Sequence, residues 1–396
     1  MSVTLDDSPA VISRGRTERL IFVDALRVAI VMFVIVHHAA QAYGPTGGMW
    51  PLHDEAQSDW FRPFYTVNAA FGLGLLFLLA GYFVPSSYER KGPRRFLRER
   101  WVRIGVPLVS FALLIHLPAV YLLGPHPAPG EFIRWLYEHG WQPIYLHLWF
   151  IGHLLLYSAV YVAWRQVVAR SGQAPSAWPL PNHAAIAGFV IAAALITWIV
   201  RMRYPVDKWV PLLGIVAAEP AHLPQYVALF ASGIAAHRGD WLRRMPTTVG
   251  MIWLAVGSIA AAGVYIAHAV GKDDLMVGGG TGWSSLLFST WEMMISAGLV
   301  VGLIVLFREV FHRPHRLLAA MAAASFGAYI LHPEIVVALQ SGIQGLVLPA
   351  VVKFALVAVL GTILAFGVAH LISHVPGLRA ILGTANGHRA RDHSRA

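Results

Sequence analysis

The stretch DALRVAIVMFVIVHHAA, residues 24–40, decides how this chain is read. It is apolar over nearly the length of a membrane-spanning helix, yet it holds Arg27 and His38. A charged side chain near the middle of such a helix costs roughly 2.5–3.5 kcal/mol on insertion scales. Groups of this kind are kept where they face a protein interior or a wet cavity and have a task there. Eleven positions separate the two residues. At ~100° per residue their side chains return to within ~20° of each other, ~16 Å apart along the axis. Asp24, Val31 and Val34 share that stripe. His37 does not, because adjacent residues diverge by ~100°.

Outward from this stretch, composition names the solvent. The 396 residues are 57% hydrophobic and 13% charged, with a mean hydropathy of +0.59, whereas soluble domains carry about 25% charged residues. The chain is therefore a membrane protein. It has no cysteine, which excludes disulfides and thiolate metal sites. A net charge of +10 could serve nucleic acid. Here the cations cluster between apolar runs, as cytoplasmic loops require, so no nucleic-acid partner is expected. Residues 1–19 are polar, with Arg14, Arg16 and Arg19 directly before the first run, and no small-residue cleavage site follows that run. The first run is expected to be a retained helix rather than a cleaved signal.

About ten segments approach the ~20 residues that cross ~30 Å of hydrocarbon. They fall near 21–43, 64–84, 102–123, 145–165, 183–200, 221–237, 247–270, 285–307, 317–340 and 346–372. The fifth and sixth are the weakest. Cationic runs at Arg90–Arg100, Arg238–Arg244, Arg308–Arg316 and in the C-terminal tail fall on one side if the termini are cytoplasmic. The loop with Arg201, Arg203 and Lys208 is the exception. The expected fold is all-α: a polytopic membrane helix bundle of about ten transmembrane helices with both termini cytoplasmic, multi-pass in the inner membrane. One transmembrane domain is expected over residues 1–383, with a basic cytoplasmic tail at 384–396. The longest outer loops are too short for a folded module.

This topology sets depths. Asp24 and Arg27 lie toward the cytoplasm. His37, His38, His147, His153, His222, Glu292 and His332 fall in the outer half, where they could converge. Each has a plain structural alternative. Outer histidines can be interfacial residues bonded to a neighbour. Arg27 can snorkel to inner headgroups, and Glu292 can pair with a histidine for structure alone. The cluster Arg90–Arg103 can be a topogenic charge run.

Several segments in order resemble the integral-membrane acyltransferase 3 family. The first helix is similar to that family's Arg–ten residues–His signature, here Arg27 and His38. LLFLLAGYF (75–83) resembles a pattern that commonly reads FFLSGF, with Ala80 at the usual Ser position. RRFLRERWVRIGVP (94–107) looks like the family's basic approach to the third helix, and HLWFIGHLLLY (147–157) is similar to its HLWFL motif. SFGAYILHPEIV (325–336) resembles the late helix that often reads SYGIYLIH.

The resemblance implies transfer of an acyl group, acetyl or alternatively succinyl, from cytoplasmic acyl-CoA to a hydroxyl of an extracytoplasmic glycan, glycolipid or related acceptor. His38 then matches the essential histidine and Arg27 the essential arginine, while His147, Trp149 and His332 belong to motifs that would meet the acceptor. Thioester-to-alcohol transfer needs a base for the hydroxyl and a stabiliser for the oxyanion. His38 is the expected base, with Glu292 as a candidate neighbour; a covalent acyl-histidine is an open variant. Arg27 would hold acyl-CoA, with Arg95, Arg100 and Arg103 at the cytoplasmic mouth. No metal is expected. The competing class is a proton-coupled transporter using the intramembrane histidines and Glu292; a haem protein with histidine ligands is a third.

Overall fold

The computed structural model describes residues 20–45, 50–123, 128–170 and 178–375. The tail at 384–396 and the arginines before the first helix lie outside them. In hydrocarbon each backbone polar group must be satisfied within its own segment, so apolar runs of this length become helices. Most of the described residues are helical.

The deciding stretch forms α1, Ile21–Ala40. After it α2 runs from Phe61 to Arg100, broken at Gly92, which has φ 70° and ψ 168° and is followed by Pro93. A π-helical turn at Trp101–Gly105 leads to α3 (Val106–Phe111), and a second one at Ala112–His116 leads to α4 (Leu117–Leu123). Short helices α5 (Pro129–Glu138) and α6 (Gln142–Tyr145) precede α7 (Trp149–Arg170) and α8 (His183–Arg201). The side chain of Asn182 caps α8, accepting from the Ala185 amide at 2.9 Å. A hairpin of β1 (Val210–Leu212) and β2 (Val216–Ala218) occupies the anomalous basic loop. Then come α9 (Leu223–Gly239), α10 (Trp241–Arg244), α11 (Thr247–Ala269), α12 (Trp283–Val310), α13 (Arg316–Ile343) and α14 (Ala350–Ser373).

Among the described residues, eight helical runs are long and apolar enough to cross a membrane. The difference from about ten has two sources. The expected second and third spans are one 62-residue run, Phe61–Leu122, divided by the Gly92 break instead of a loop. The expected sixth span, α9, has only 17 residues.

The helix α1 packs chiefly on α13, with α14, α2 and α12 around it. The second run is central, 78% of its apolar window being buried, whereas α8 and α11 at 28% and α14 at 33% lie at the periphery. Without a hydrophobic drive between helices in lipid, close backbone approach supplies the packing. At the α2–α9 contact, a Cβ on Gly81 would overlap the Phe230 carbonyl oxygen, and one on Gly233 would overlap that of Leu78. Neither neighbour is a side chain that could swing away. Gly233→Ala should therefore separate these helices at a cost of about 1–3 kcal/mol. Thermal unfolding in detergent checks this; a variant that melts with the parent would show that the two helices slide apart freely.

Candidate active site

The two histidines at the end of α1 diverge as helix phase requires. His37 turns to α2: its Nδ1 accepts from Asn68 Nδ2 at 3.3 Å, and its ring lies 5.4 Å from that of Tyr65. His38 turns to α13, its ring 5.0 Å from that of His332. Arg27, on the same stripe, donates to the carbonyl of Ala322 on α13 at 2.9 Å. Asp24 pairs with Arg27 at 3.0 Å. Arg27 and His38 therefore meet Ala322 and His332 in the same order along both helices, so α1 and α13 run parallel.

A cavity of about 690 Å³ opens among α1, α2, α12 and the 142–149 and 205–226 segments, lined by His37, His38, Gln41, His147, Trp149, His222, Glu292 and Tyr329, among others. His332 is fully buried, and its ring lies 4.9 Å from that of His147. Of the residues expected to converge, His38, His147, His222 and Glu292 line this one cavity, while His332 is packed behind its wall against the rings of His38 and His147. His153 is the exception: its Nε2 donates to the Ala217 carbonyl at 3.1 Å, in the direction of the β-hairpin. Six residues separate it from His147, which on a helix places the two ~120° apart.

The protons of the inner imidazoles are assigned by their partners. His147 Nε2 donates to the Ile330 carbonyl at 3.1 Å, and His332 Nδ1 donates to the Tyr329 carbonyl at 2.7 Å. The other ring nitrogens, His147 Nδ1 and His332 Nε2, are buried and have no hydrogen-bond partner among the described residues. The Tyr329 hydroxyl donates to the backbone carbonyl of His147, tying α13 to the turn before α7.

Glu292 sits in a different relation from the expected one. It is not the partner of His38 Nδ1, which faces Gln41 Oε1. Its carboxylate meets Arg201 through Oε2 and His222 Nε2 through Oε1 at 3.0 Å. His222 Nδ1 meets Glu219 Oε2 at 2.9 Å, and Glu219 Oε1 accepts from the Asp207 amide at 2.7 Å. Each ring nitrogen of His222 faces a carboxylate, an arrangement that an imidazolium satisfies with two N–H donors. The buried chain Arg201–Glu292–His222–Glu219 then alternates in sign and sums to zero.

The four arginines expected to serve the donor are placed apart from this chamber. Arg95 pairs with Glu99 at 3.0 Å, the Arg100 guanidinium lies 5.2 Å from the Phe96 ring centre, and Arg103 is exposed. None of these, nor Arg27, lines the cavity. Among the described residues no group of three His, Asp or Glu is arranged to hold a metal ion.

Sequence reasoning missed Gln41, Trp50, Gln340, Arg201 and Glu219. Gln41 was within reach, since i and i+3 side chains are helical neighbours. Arg201 was visible as the cation that broke the charge pattern.

Helices long enough to span, enclosing an imidazole-lined chamber, define a multi-pass membrane protein with a buried polar site. Residues 20–374 match the acyltransferase domain model, and the chain belongs to the acyltransferase 3 family: it is an integral-membrane acyltransferase. It is similar to the glucans biosynthesis protein C of Salmonella schwarzengrund (strain CVM19633), 26% identical over 331 residues that cover 78% of this chain and 80% of the relative. The protein of the same name from Salmonella typhi is 25% identical with the same coverage. No solved structure matches.

Proposed function

We propose that the protein moves an acyl group, acetyl or succinyl, from cytoplasmic acyl-CoA to a hydroxyl of an extracytoplasmic glycan or glycolipid, with His38 as the general base. The observation that carries this reading is the state of His38. Its Nδ1–H is committed to Gln41, so Nε2 carries a lone pair beside a chamber that His147 also lines, with the His332 ring packed against both imidazoles. In the reaction Nε2 takes the acceptor hydroxyl proton as the oxygen attacks the thioester carbonyl. The C–S bond then breaks, and the proton passes from His38 to the departing thiolate.

Arg27, ~16 Å from His38 along α1, holds the phosphate or pantetheine part of acyl-CoA. Arg95, Arg100 and Arg103 attract the donor at the cytoplasmic side. His147 and His332 accept hydrogen bonds from the acceptor. Trp149, whose ring lies 5.6 Å from that of Trp209, offers an aromatic wall to a sugar, and Glu292 with its buried partners fixes the far wall. The names of the relatives favour a glucan among such acceptors.

This reading takes ten crossings with cytoplasmic termini. Two observations support the count. At ~1.5 Å per residue the 62-residue run is ~90 Å long, well over twice the hydrocarbon thickness, and its break at Gly92 supports reading it as two crossings. The parallel course of α1 and α13 supports a further crossing between them, which this reading assigns to α9. Residues 20–375 act as one transmembrane unit.

Mass spectrometry of envelope glycans and lipids, with and without the gene, tests the function. The expected result is loss of one acetyl or succinyl mass from a defined glycan. Unchanged glycans and lipids, with proton-linked solute uptake in vesicles, would favour transport instead. The donor assignment has its own test: Arg27→Ala should raise the KM for acyl-CoA by roughly tenfold or more, given the ~1.5–3 kcal/mol of a charge-assisted hydrogen bond. The KM for acceptor should hold. A change in the acceptor KM alone would move Arg27 away from the donor.

A further inference from the structure

Resting on the reading of His38 as base, we propose that Gln41 is the positioning residue of that base: it selects the Nδ1–H form and keeps the imidazole without a carboxylate partner. Three contacts hold the ring. Gln41 Oε1 accepts from Nδ1. One face stacks on Trp50, with ring centres 5.0 Å apart and planes at 17°. Beyond lies His332 at 5.0 Å.

The stacking tryptophan is itself fixed. Trp50 Nε1 donates to Gln340 Oε1 at 2.8 Å, and Gln340 Nε2 donates to the carbonyls of Ala39 at 3.1 Å and His38 at 3.3 Å. Gln340 is fully buried. It ties the end of α1, the loop carrying Trp50 and α13 into one unit. With the ring plane set by Trp50, only the Gln41 contact decides which nitrogen bears the proton.

The neutrality of Gln41 has a consequence. A carboxylate at this place would stabilise the imidazolium and hold the proton there. An amide oxygen orients the ring equally well but adds no countercharge, so the proton is free to pass to the thiolate. The titratable groups around His38 agree with this. His37 on its own helix, His332 on α13 and His147 behind it are all imidazoles, and among the described residues no carboxylate is paired with His38.

The test is acyl transfer in proteoliposomes against pH, for the parent, Gln41→Leu, Gln41→Glu and His38→Ala. Gln41→Glu keeps the shape and adds a charge. An opposite charge within ~4–6 Å moves a titration by about 1–3 pH units, so its acid limb in kcat/KM should move upward by at least one unit, with activity recovered at high pH. Gln41→Leu should lose roughly 10–100-fold at every pH, as loss of an orienting partner does at metal-bound histidines. An acid limb that stays in place in Gln41→Glu overturns the assignment, whatever the rate. Full activity in His38→Ala instead removes the base itself, and so distinguishes failure of the underlying reading from failure of this one. A merely structural Gln41 would change stability and rate but leave the limb where it is.

Discussion

His38→Ala is expected to reduce acyl transfer by roughly 10²–10⁴-fold, the range for removal of a positioned general base, or about 3–5 kcal/mol of barrier at ~1.4 kcal/mol per tenfold. The loss should appear in kcat with the KM for acyl-CoA nearly constant, because the proposal gives donor binding to Arg27, toward the other end of α1 on the same face. His37→Ala is the internal control. His37 accepts from Asn68 and lies against Tyr65, away from His332, so its loss should cost less than tenfold. The experiment is transfer from labelled acyl-CoA by purified protein in vesicles, with unfolding temperature recorded for each variant. A fully active His38→Ala would end the general-base proposal. A dead His37→Ala beside a live His38→Ala would mean that the chemistry uses the α2 side of the helix.

Much of this site follows from one-dimensional rules, and the remainder follows from pairings that no such rule carries. Helix phase alone separates His37 from His38, and the α2-facing and α13-facing contacts agree with it. Depth put His147, His222, His332 and Glu292 at one level because depth depends only on position along a span; that His147, His222 and Glu292 line one cavity comes from the packing. Direction around the axis is harder to read where the helix is irregular. Residues Leu146–Leu148 form a 3-10 turn before α7, so His147 faces α13 while His153 turns to Ala217. The sequence KGPRR at 91–95 has the composition of a loop, yet Gly92 turns the chain within a single residue and helix resumes at once. Partner identity was least legible. Gln41 carries no charge to mark it, and Arg201 meets a carboxylate 91 positions away, Glu292, a pairing set only by how α8 packs on α12.

That pairing carries the largest expected effect on stability. Arg201 is fully buried and Glu292 is 3% exposed. Removing one member of a buried ion pair typically costs 3–5 kcal/mol, because the other charge is left uncompensated. Arg201→Met should therefore destabilise the protein by about 3–5 kcal/mol and lower its unfolding temperature in detergent. The chain of four makes a sharper claim than a single pair would. In Arg201→Met the remaining Glu292, His222 and Glu219 sum to one negative charge. In the double variant Arg201→Met/Glu292→Met, His222 and Glu219 remain and balance each other. The double variant should thus be more stable than Arg201→Met alone, by roughly half the loss or more, although it lacks one more polar side chain. If charge balance were irrelevant and each residue merely filled space, the two losses would add. A double variant less stable than Arg201→Met would show that these four residues are held by shape and hydrogen bonds rather than by alternation of sign. The loss of the Glu292 contact to His222 would then reach the cavity wall by displacing the ring, and the transfer rate of the double variant would report it.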